Sequence, residues 1–209
     1  CDLKGLEVRE ADGTLYFLAN RDRSQFAVEL DLEGLHYVHD ALAAIAVGME
    51  LGVPNEDISA SLSRFQNMAG RQEIFEKNGF TIIRDCYNAG PESMAAALAV
   101  LSNRPNRKVA VLGDMLELGA CARAEHYKVG RIAAEKADIL LAYGPNSEGM
   151  LTGARTGGMT AKFSRAFTDK EKMIQVLKTL AKPGDTILFK GSRGMRMEQV
   201  LEAFLQEEK

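Results

Sequence analysis

Four segments of the sequence combine glycine with polar side chains directly after a predicted strand. They span residues 85–91, 113–119, 143–147 and 190–194. In an open α/β sheet, ligands bind beyond the carboxyl ends of the strands. Two of the segments also lead straight into predicted helix N-termini, whose free N–H groups favour anions. The pattern therefore predicts one ligand site that is assembled from several strand–helix loops.

The most specific of these segments is 190–194, where Lys190 and Arg193 flank a Gly-Ser pair. Two cations and the Ser192 hydroxyl at a predicted helix start are more than a helix cap requires, and they suit a carboxylate or a phosphate. The segment 143–147, by contrast, is better explained as an ordinary loop in which a polar side chain caps the next helix.

For the other two segments, the residues alone leave two interpretations open. Asp85 and Asn88 could bind a ligand, or they could simply turn the chain and cap a helix. Asp114 and Glu117 could bind a cation or an amine, and they could equally well start a helix.

Several motifs that would define a reaction are absent from the sequence. It contains no G-x-x-x-x-G-K-[ST] phosphate-binding loop, no G-x-G-x-x-G after a strand and no G-x-S-x-G nucleophile elbow. The three histidines do not form a zinc pattern with the three cysteines, so no metal site is predicted. Cys86, which follows a predicted strand, is interpreted as a small packing residue rather than a nucleophile.

Composition and charge narrow the class of protein. The 209 residues are 46% hydrophobic and 26% charged with a net charge of −3, which is typical of a globular protein and excludes a disordered chain. The most apolar stretch, 41–49, is far shorter than the ~18 residues of a membrane span, and no secretory signal is recognisable. Scattered basic residues argue against nucleic-acid binding, and three cysteines at unrelated spacings favour a reduced, cytoplasmic compartment.

Two regions of different periodicity must position the candidate residues. Residues 1–69 begin with alternating apolar and polar positions around an Asp12-Gly13 turn, which predicts antiparallel strands, and continue with two helices. In residues 70–209, apolar strands alternate with helices, which predicts a Rossmann-like, doubly wound and mostly parallel sheet. The predicted fold class is therefore α/β, with a domain boundary between residues 69 and 70.

The predicted elements can be placed to within a few residues. In the first region we expect strands around 6–8, 14–18 and 26–30, a helix from about 36 to the Gly-Val-Pro at 52–54, and a helix over 56–65. In the second region we expect strands at 73–76, 80–84, 108–112, 138–142, near 161 and at 186–189. The helices between them are expected over 91–101, 123–136, 147–152, 169–180 and 195–205. Asn78-Gly79 predicts a tight hairpin between the first two of these strands.

The residues after the strands resemble the motifs of one enzyme family. Residues 85–94, D-C-Y-N-A-G-P-E-S-M, resemble the D-x-Y-N-A-N-P-x-S-M motif of the MurF-type Mur ligases, which are UDP-N-acetylmuramoyl-tripeptide:D-alanyl-D-alanine ligases. Residues 111–119 match the V-L-G-D-M-x-E-L-G motif of that family, and residues 190–193 match its K-G-S-R. Further matches, in order and at family spacing, are His126 with Gly130, Met197 with Glu198, Gly70 with Arg71, and residues 34–44.

The resemblance implies an ATP-dependent amide-bond ligase of peptidoglycan synthesis. In such ligases, a carboxylate of the UDP-MurNAc-peptide takes the γ-phosphoryl group of ATP, and the amine of D-Ala-D-Ala attacks the resulting acyl phosphate. The protein mainly positions the reactants and neutralises charge with Mg²⁺ and cations. The expected partners are UDP-MurNAc-peptide, D-Ala-D-Ala and ATP, and the expected protein is a cytoplasmic monomer that serves cell-wall growth, cell shape and division.

The resemblance also implies roles for individual residues. Asn88 would lie near the reaction centre, and it and Lys190 are the expected catalytic residues. The expected nucleotide-binding residues are His36, Asp40, Arg71, Asp85 and Tyr87. Among them, Arg71 would contact phosphate or ribose, Asp85 the ribose, and Asp40 takes the position of an adenine-contacting Asn. The expected substrate-binding residues are Asn88, Asp114, Glu117, Lys190, Ser192 and Arg193, and the last three would face the dipeptide carboxylate.

The sequence departs from the family pattern in several respects. Tyr37 and Asp40 stand where the family more often has Asn, and Gly90 replaces the second Asn of Y-N-A-N-P. The UDP-binding domain, the phosphate-binding loop and the part that carries the Mg²⁺ ligands are absent, and Cys1 falls inside the expected central ATPase domain. We therefore expect the carboxy-terminal part of such a ligase, inactive alone. The alternatives are a freestanding small-molecule-binding module without catalysis and a fragment of a related Mur or folylpolyglutamate-type ligase.

Overall fold

The computed structural model describes residues 2–22 and 24–206. The chain divides into two compact units, Cys1–Asn67 and Met68–Lys209, and each is described by itself. Cys1, at which the first predicted domain begins, and residues 207–209, at the end of the second, lie outside the described residues.

The first unit contains a three-stranded antiparallel sheet in the order β1-β2-β3. The strands are β1 Leu3–Ala11, β2 Thr14–Arg21 and β3 Ser24–Leu30, as the alternating pattern predicts. Asp12 and Gly13 both have positive φ angles, 52° and 82°. Two such residues form the turn whose twist matches paired antiparallel strands, so this dipeptide fixes the register of the hairpin.

Two helices, α1 His36–Glu50 and α2 Asn55–Leu62, pack with the sheet in the first unit. Ile45 is fully buried on α1, while Leu42 and Met49 are partly buried against the same core, so the predicted apolar stripe faces the sheet. The predicted end of the second helix at Phe65 is wrong, because the helix stops at Leu62. Phe65 is 49% exposed and supplies no buried contact that would extend the helix.

The second unit is built around a six-stranded sheet in the order β4-β5-β9-β6-β7-β8. Its strands are β4 Glu73–Lys77, β5 Phe80–Asp85, β6 Lys108–Gly113, β7 Ile139–Tyr143, β8 Ser164–Phe167 and β9 Thr186–Lys190. Only the β4–β5 pair is antiparallel, and Asn78 and Gly79 join it in a tight turn. The predicted α/β class with a mostly parallel, Rossmann-like sheet is confirmed.

Five helices cover the two faces of this sheet: α3 Pro91–Ser102, α4 Ala122–Lys136, α5 Ser147–Thr156, α6 Lys170–Leu180 and α7 Met197–Leu205. Ala110 and Leu112 belong to the core shared with α3, α4 and α5, whereas Val109 and Val111 belong to the core shared with α6 and α7. Because successive side chains of a strand point to opposite faces, the apolar run of β6 fills both cores.

Three elements of the second unit differ from the prediction. The helix expected over 147–152 continues for four more residues, to Thr156. The strand expected near Ala161 lies at Ser164–Phe167, because only there does the chain pair with β7, with Leu140 opposite Ser164. The last helix begins at Met197 rather than at 195, since Arg193–Met195 form a short 3₁₀ turn and Arg196 takes a left-handed conformation with φ 49°. Among the described residues, no helix has the length and apolar character needed to cross a membrane.

Candidate functional site

Asp85 and Lys190 lie next to each other at the carboxyl ends of β5 and β9. Parallel pairing of the two strands places them in register, and Lys190 Nζ donates a hydrogen bond of 2.6 Å to Asp85 Oδ2. The same ammonium donates to the Asn88 carbonyl oxygen at 3.0 Å. Lys190 is only 2% exposed, so its charge is held away from water and is compensated by these two oxygens.

The loop between β5 and α3 carries the exposed polar groups closest in sequence to this ion pair. The side chains of Tyr87 and Asn88 are exposed, and the Asn88 Oδ1 accepts a hydrogen bond from the Ala89 amide at 2.8 Å. Pro91 begins α3 directly after Gly90, which is extended, so the loop ends at a helix N-terminus. Its exposed amide and aromatic ring are therefore available to a ligand.

Arg71 lies over the ring of Tyr87. Its guanidinium carbon is 4.3 Å from the ring centroid, which is the geometry of a cation–π contact. The backbone supports this placement, because the Tyr87 amide donates to the Gly70 carbonyl oxygen at 3.1 Å. Two residues that the family resemblance implies for the nucleotide are thus brought together in the second unit.

Ser192 is buried, with an exposure of 4%. Its hydroxyl donates to the Ala89 carbonyl oxygen at 3.2 Å and accepts a hydrogen bond from the Leu116 amide at 2.9 Å. Its own amide donates to the Asp114 carbonyl oxygen at 3.1 Å. The side chain is therefore directed to the protein's own backbone, and the expectation that it faces a ligand carboxylate stays a prediction.

Asp114 is completely buried. Its Oδ2 accepts hydrogen bonds from the amide and the side chain of Asn146, at 2.9 and 2.8 Å, whereas its Oδ1 has no hydrogen-bond partner. A Cβ at Gly144 would lie 2.5 Å from the Asp114 Cγ, so this approach requires a glycine. The hydrogen bonds of the Asp114 carboxylate are thus to Asn146, and the substrate-binding role that the resemblance implies stays a prediction.

His126 packs beside Asp114 and is also fully buried. Its Nε2 accepts a hydrogen bond from the Met115 amide at 3.0 Å, and its Nδ1 lies 2.7 Å from the Ala122 carbonyl oxygen. These partners require a neutral imidazole with its proton on Nδ1. The 3.6 Å approach of Nε2 to Asp114 Oδ1 is therefore a contact of a neutral ring with a carboxylate and not a salt bridge.

Glu117 and Arg193 remain at the surface of the second unit. Glu117 is exposed and left-handed, with φ 67°. The Arg193 side chain is 70% exposed, and its Nη1 lies 3.4 Å from Glu198 Oε1. Glu198, which matches a family motif but has no predicted role, also has an Oε2 without a hydrogen-bond partner. Because Glu117 and Arg193 are both exposed, their side chains are accessible to a ligand.

His36 and Asp40 belong to the first unit, on the first two turns of α1. The rings of His36 and Tyr37 lie 4.2 Å apart, and Asp40 is exposed. A cavity of about 110 Å³ opens beside them; its lining is Leu30, Leu32, Tyr37, Asp40, Ala41, Ala44, Leu62 and Phe65. Its lining is mostly apolar, with the Tyr37 ring on one wall and the Asp40 carboxylate among its polar groups.

Cys86 directly follows the carboxyl end of β5 and is buried. Its thiol is 3.3 Å from the Phe189 carbonyl oxygen. Burial, followed by the negative charges of Glu198 and Asp85, raises the pKa of Cys86 to about 12, which agrees with its interpretation as a packing residue. Among the described residues, no three His, Cys, Asp or Glu side chains cluster as metal ligands would.

The sequence predictions did not include Asn146, which contacts Asp114 with both its amide and its side chain. The segment 143–147 was interpreted as a loop with a helix cap, yet the Asn146 side chain makes no cap hydrogen bond to α5. The polar Asn before a helix was the available signal, but its partner lies 32 residues away, and local spacing cannot reveal such a contact.

Comparisons with known proteins agree on one family. The family model described as "Mur ligase, glutamate ligase domain" matches residues 70–193. Two curated proteins, both named UDP-N-acetylmuramoyl-tripeptide--D-alanyl-D-alanine ligase, come from Bacillus subtilis (strain 168) and Escherichia coli (strain K12). The first is 34% identical over 93% of this chain and 43% of its own length, and the second is 39% identical over 86% and 39%. The chain therefore spans about two fifths of these relatives.

Solved structures give the same result. A MurF from Acinetobacter baumannii superimposes with a TM-score of 0.88 at 31% identity, covering 99% of this chain and 45% of that one. A MurF ligase from Thermotoga maritima, in complex with ADP, superimposes with a TM-score of 0.79 at 28% identity over 97% of this chain and 46% of that one.

Proposed function

The chain belongs to the Mur ligase family, whose glutamate ligase domain matches residues 70–193, and on that premise we propose that it is the carboxy-terminal part of an ATP-dependent ligase that joins D-Ala-D-Ala to UDP-MurNAc-tripeptide. The curated relatives that carry this name are similar along most of this chain. In this proposal, residues 1–69 are the end of the central ATPase domain and residues 70–209 are the carboxy-terminal ligase domain. The whole enzyme is a cytoplasmic monomer of peptidoglycan synthesis.

The proposed reaction has two steps. The tripeptide carboxylate attacks the γ-phosphorus of ATP, which gives an acyl phosphate and ADP. The amine of D-Ala-D-Ala then attacks the acyl carbon, loses its proton, and expels inorganic phosphate as the new amide forms. Both steps bring anionic groups together, so the protein contributes by positioning reactants and by placing cations near developing charge.

The observation that carries the proposal is the hydrogen-bonded group of Asp85, Asn88 and Lys190 at the carboxyl edge of the sheet. A lysine ammonium has three N–H donors, and Asp85 and the Asn88 carbonyl accept two of them. The third can reach a ligand oxygen next to the exposed Asn88 side chain. We assign Asn88 and Lys190 to the reaction centre on this basis.

The nucleotide is proposed to lie against the Arg71–Tyr87 pair, with Asp85 at its ribose. A guanidinium that is already stacked on an aromatic face is pre-oriented, so it loses less freedom when it binds a phosphate. Separately, the family resemblance assigns His36 and Asp40, on α1 of the first unit, to nucleotide binding. A similar MurF is described as a complex with ADP, which supports this family as a nucleotide binder.

The dipeptide is proposed to meet the exposed cation Arg193, with Glu117 at the neighbouring loop facing its amine. Arg193 can form a bidentate pair with a carboxylate. Mg²⁺, when bound with ATP, would neutralise phosphate charge, and we assign its ligands to the part of the ligase outside this chain.

A ligation assay tests the proposal. The full-length ligase is incubated with UDP-MurNAc-tripeptide, ATP and Mg²⁺, and ADP release is followed with and without D-Ala-D-Ala. We expect ADP release that depends on the dipeptide, and we expect no turnover by the 209-residue chain alone. If the full-length protein is folded and releases no ADP in response to the dipeptide, the proposed function is wrong.

A further inference from the structure

Three loops of the candidate site meet at the Ser192 side chain. The hydroxyl contacts the β5–α3 loop through the Ala89 carbonyl oxygen and the β6–α4 loop through the Leu116 amide. Ser192 itself lies in the segment between β9 and α7, and its amide donates to the Asp114 carbonyl oxygen. One small buried side chain therefore joins segments that are 76 and 103 residues away along the chain.

The hydroxyl of Ser192 has no hydrogen left to offer a ligand. A serine has a single O–H donor, and here it is directed at the Ala89 carbonyl oxygen. A carboxylate or a phosphate accepts hydrogen bonds and offers none, so it cannot pair with the acceptor side of this oxygen.

We propose that Ser192 is a positioning residue, which fixes the loops that carry Asn88 and Glu117, and that it does not contact the dipeptide. Lys190 and Ser192 bind two successive carbonyl oxygens, those of Asn88 and Ala89, so the backbone directly after the Asn88 side chain is held at two points. In the β6–α4 loop, the Leu116 amide donates to the Ser192 hydroxyl oxygen, which fixes the backbone directly before Glu117. The part of the inference that concerns the dipeptide rests on the proposed function.

Asp114 connects the contacts of Ser192 to a fourth loop, which lies between β7 and α5. Its carbonyl oxygen accepts from the Ser192 amide, and its carboxylate accepts from both donors of Asn146 in the β7–α5 loop. The buried polar groups at the carboxyl edge therefore form one connected network, in which Asp114 Oδ1 is the atom without a hydrogen-bond partner. Asp114 then acts in the same way as Ser192, as a support for the loops.

Hydrogen exchange on the 209-residue chain tests the contact directly. In Ser192→Ala the Leu116 amide loses its acceptor, and we expect it to exchange about tenfold faster or more, which is what the loss of one hydrogen bond corresponds to. The amides in the middle of β6 should keep their rates. The matched control is Ser102→Ala, which removes an exposed hydroxyl that bonds only within α3, and it should leave Leu116 unchanged. Unchanged Leu116 exchange in Ser192→Ala would overturn the proposal.

A second variant covers the case in which Ser192→Ala does not fold. Ser192→Thr keeps the hydroxyl, so it should keep the slow exchange of Leu116 to within a factor of about three. Fast exchange at Leu116 in a folded Ser192→Thr protein would mean that the hydroxyl is not what protects this amide.

Kinetics of the full-length ligase separate positioning from direct binding. If Ser192 supports both loops, Ser192→Ala should lower kcat about tenfold and should raise the KM for ATP as well as that for D-Ala-D-Ala, and Ser192→Thr should restore them in large part. A rise confined to the KM for the dipeptide would instead identify Ser192 as a direct ligand. If the wild-type enzyme shows no dipeptide-dependent turnover, the proposed function fails, and the exchange result still decides the structural role.

Discussion

Replacing Lys190 by Met tests whether the buried ion pair at the sheet edge holds the site together. The variant keeps an unbranched side chain that is one heavy atom shorter and removes the ammonium, so it leaves the Asp85 carboxylate and the Asn88 carbonyl oxygen without their donor. Removal of one partner from a buried pair costs about 3–5 kcal/mol. Because the Asp85 side chain is 14% exposed and regains some water, we expect about 3 kcal/mol, at the lower end of that range.

The assay must report on the second unit alone. Native-state hydrogen exchange of the β5 and β9 amides gives the free energy of unfolding of this unit without reference to the first one. In the double variant Asp85→Asn with Lys190→Met, no charge is left unpaired, so the loss should be clearly smaller than the sum of the two single losses.

A matched control comes from an exposed pair. Lys128 Nζ lies 2.7 Å from Glu125 Oε1, but the lysine side chain is 65% exposed, and Lys128→Met should leave exchange in β9 unchanged. A loss below ~1 kcal/mol in Lys190→Met, or one no larger than in the control, would refute the argument that this pair is a buried support of the site.

Three further predictions concern the Cys86 thiol, the contact of Gly130 with α5, and the Tyr87 ring. At pH 8, Cys86 should react with iodoacetamide far more slowly than the exposed Cys121, because a pKa of about 12 leaves almost no thiolate until the pH approaches that value; equal rates in peptide mass spectrometry would contradict this. Gly130→Ala should destabilise the second unit by about 2 kcal/mol or more, because a Cβ there would overlap a backbone oxygen of α5. Gly149→Ala, where the nearest atom is at 3.4 Å, is the control, and similar unfolding midpoints would refute the explanation. In the full-length ligase, Tyr87→Ala should raise the KM for ATP about threefold while Tyr87→Phe leaves it unchanged; an equal rise in both would show that the ring face is not what matters.

The fold could be predicted where the signal is local. The two-residue turns at Asp12-Gly13 and Asn78-Gly79 determine their hairpins, and the apolar runs that become β6 and β7 fill a sheet covered on both faces. The strand near Ala161 was misplaced because β8 has only four residues and its position depends on pairing with β7. Local sequence carries little information about such pairing at a sheet edge.

The sequence predicts which residues lie at the carboxyl ends of the strands, but it does not predict which of them are buried. The positions of Asp85, Asn88 and Lys190 after neighbouring strands follow from the rule that ligands bind at carboxyl ends, and the structure brings these residues into contact. The burial of Asp114 and Ser192 could not be derived in the same way. It arises because loops that are far apart in sequence close over one another, as the hydrogen bonds of Ser192 to Ala89 and Leu116 show.

The most direct test of the central claim is the identity of the product. The full-length ligase is given UDP-MurNAc-tripeptide, ATP and Mg²⁺ with an equimolar mixture of D-Ala-D-Ala, D-alanine and D-glutamate, and the nucleotide products are weighed by mass spectrometry. The account predicts a single new product, heavier by D-Ala-D-Ala minus one water, together with ADP and phosphate. A product that contains another amine, or no product from a folded enzyme, would contradict it.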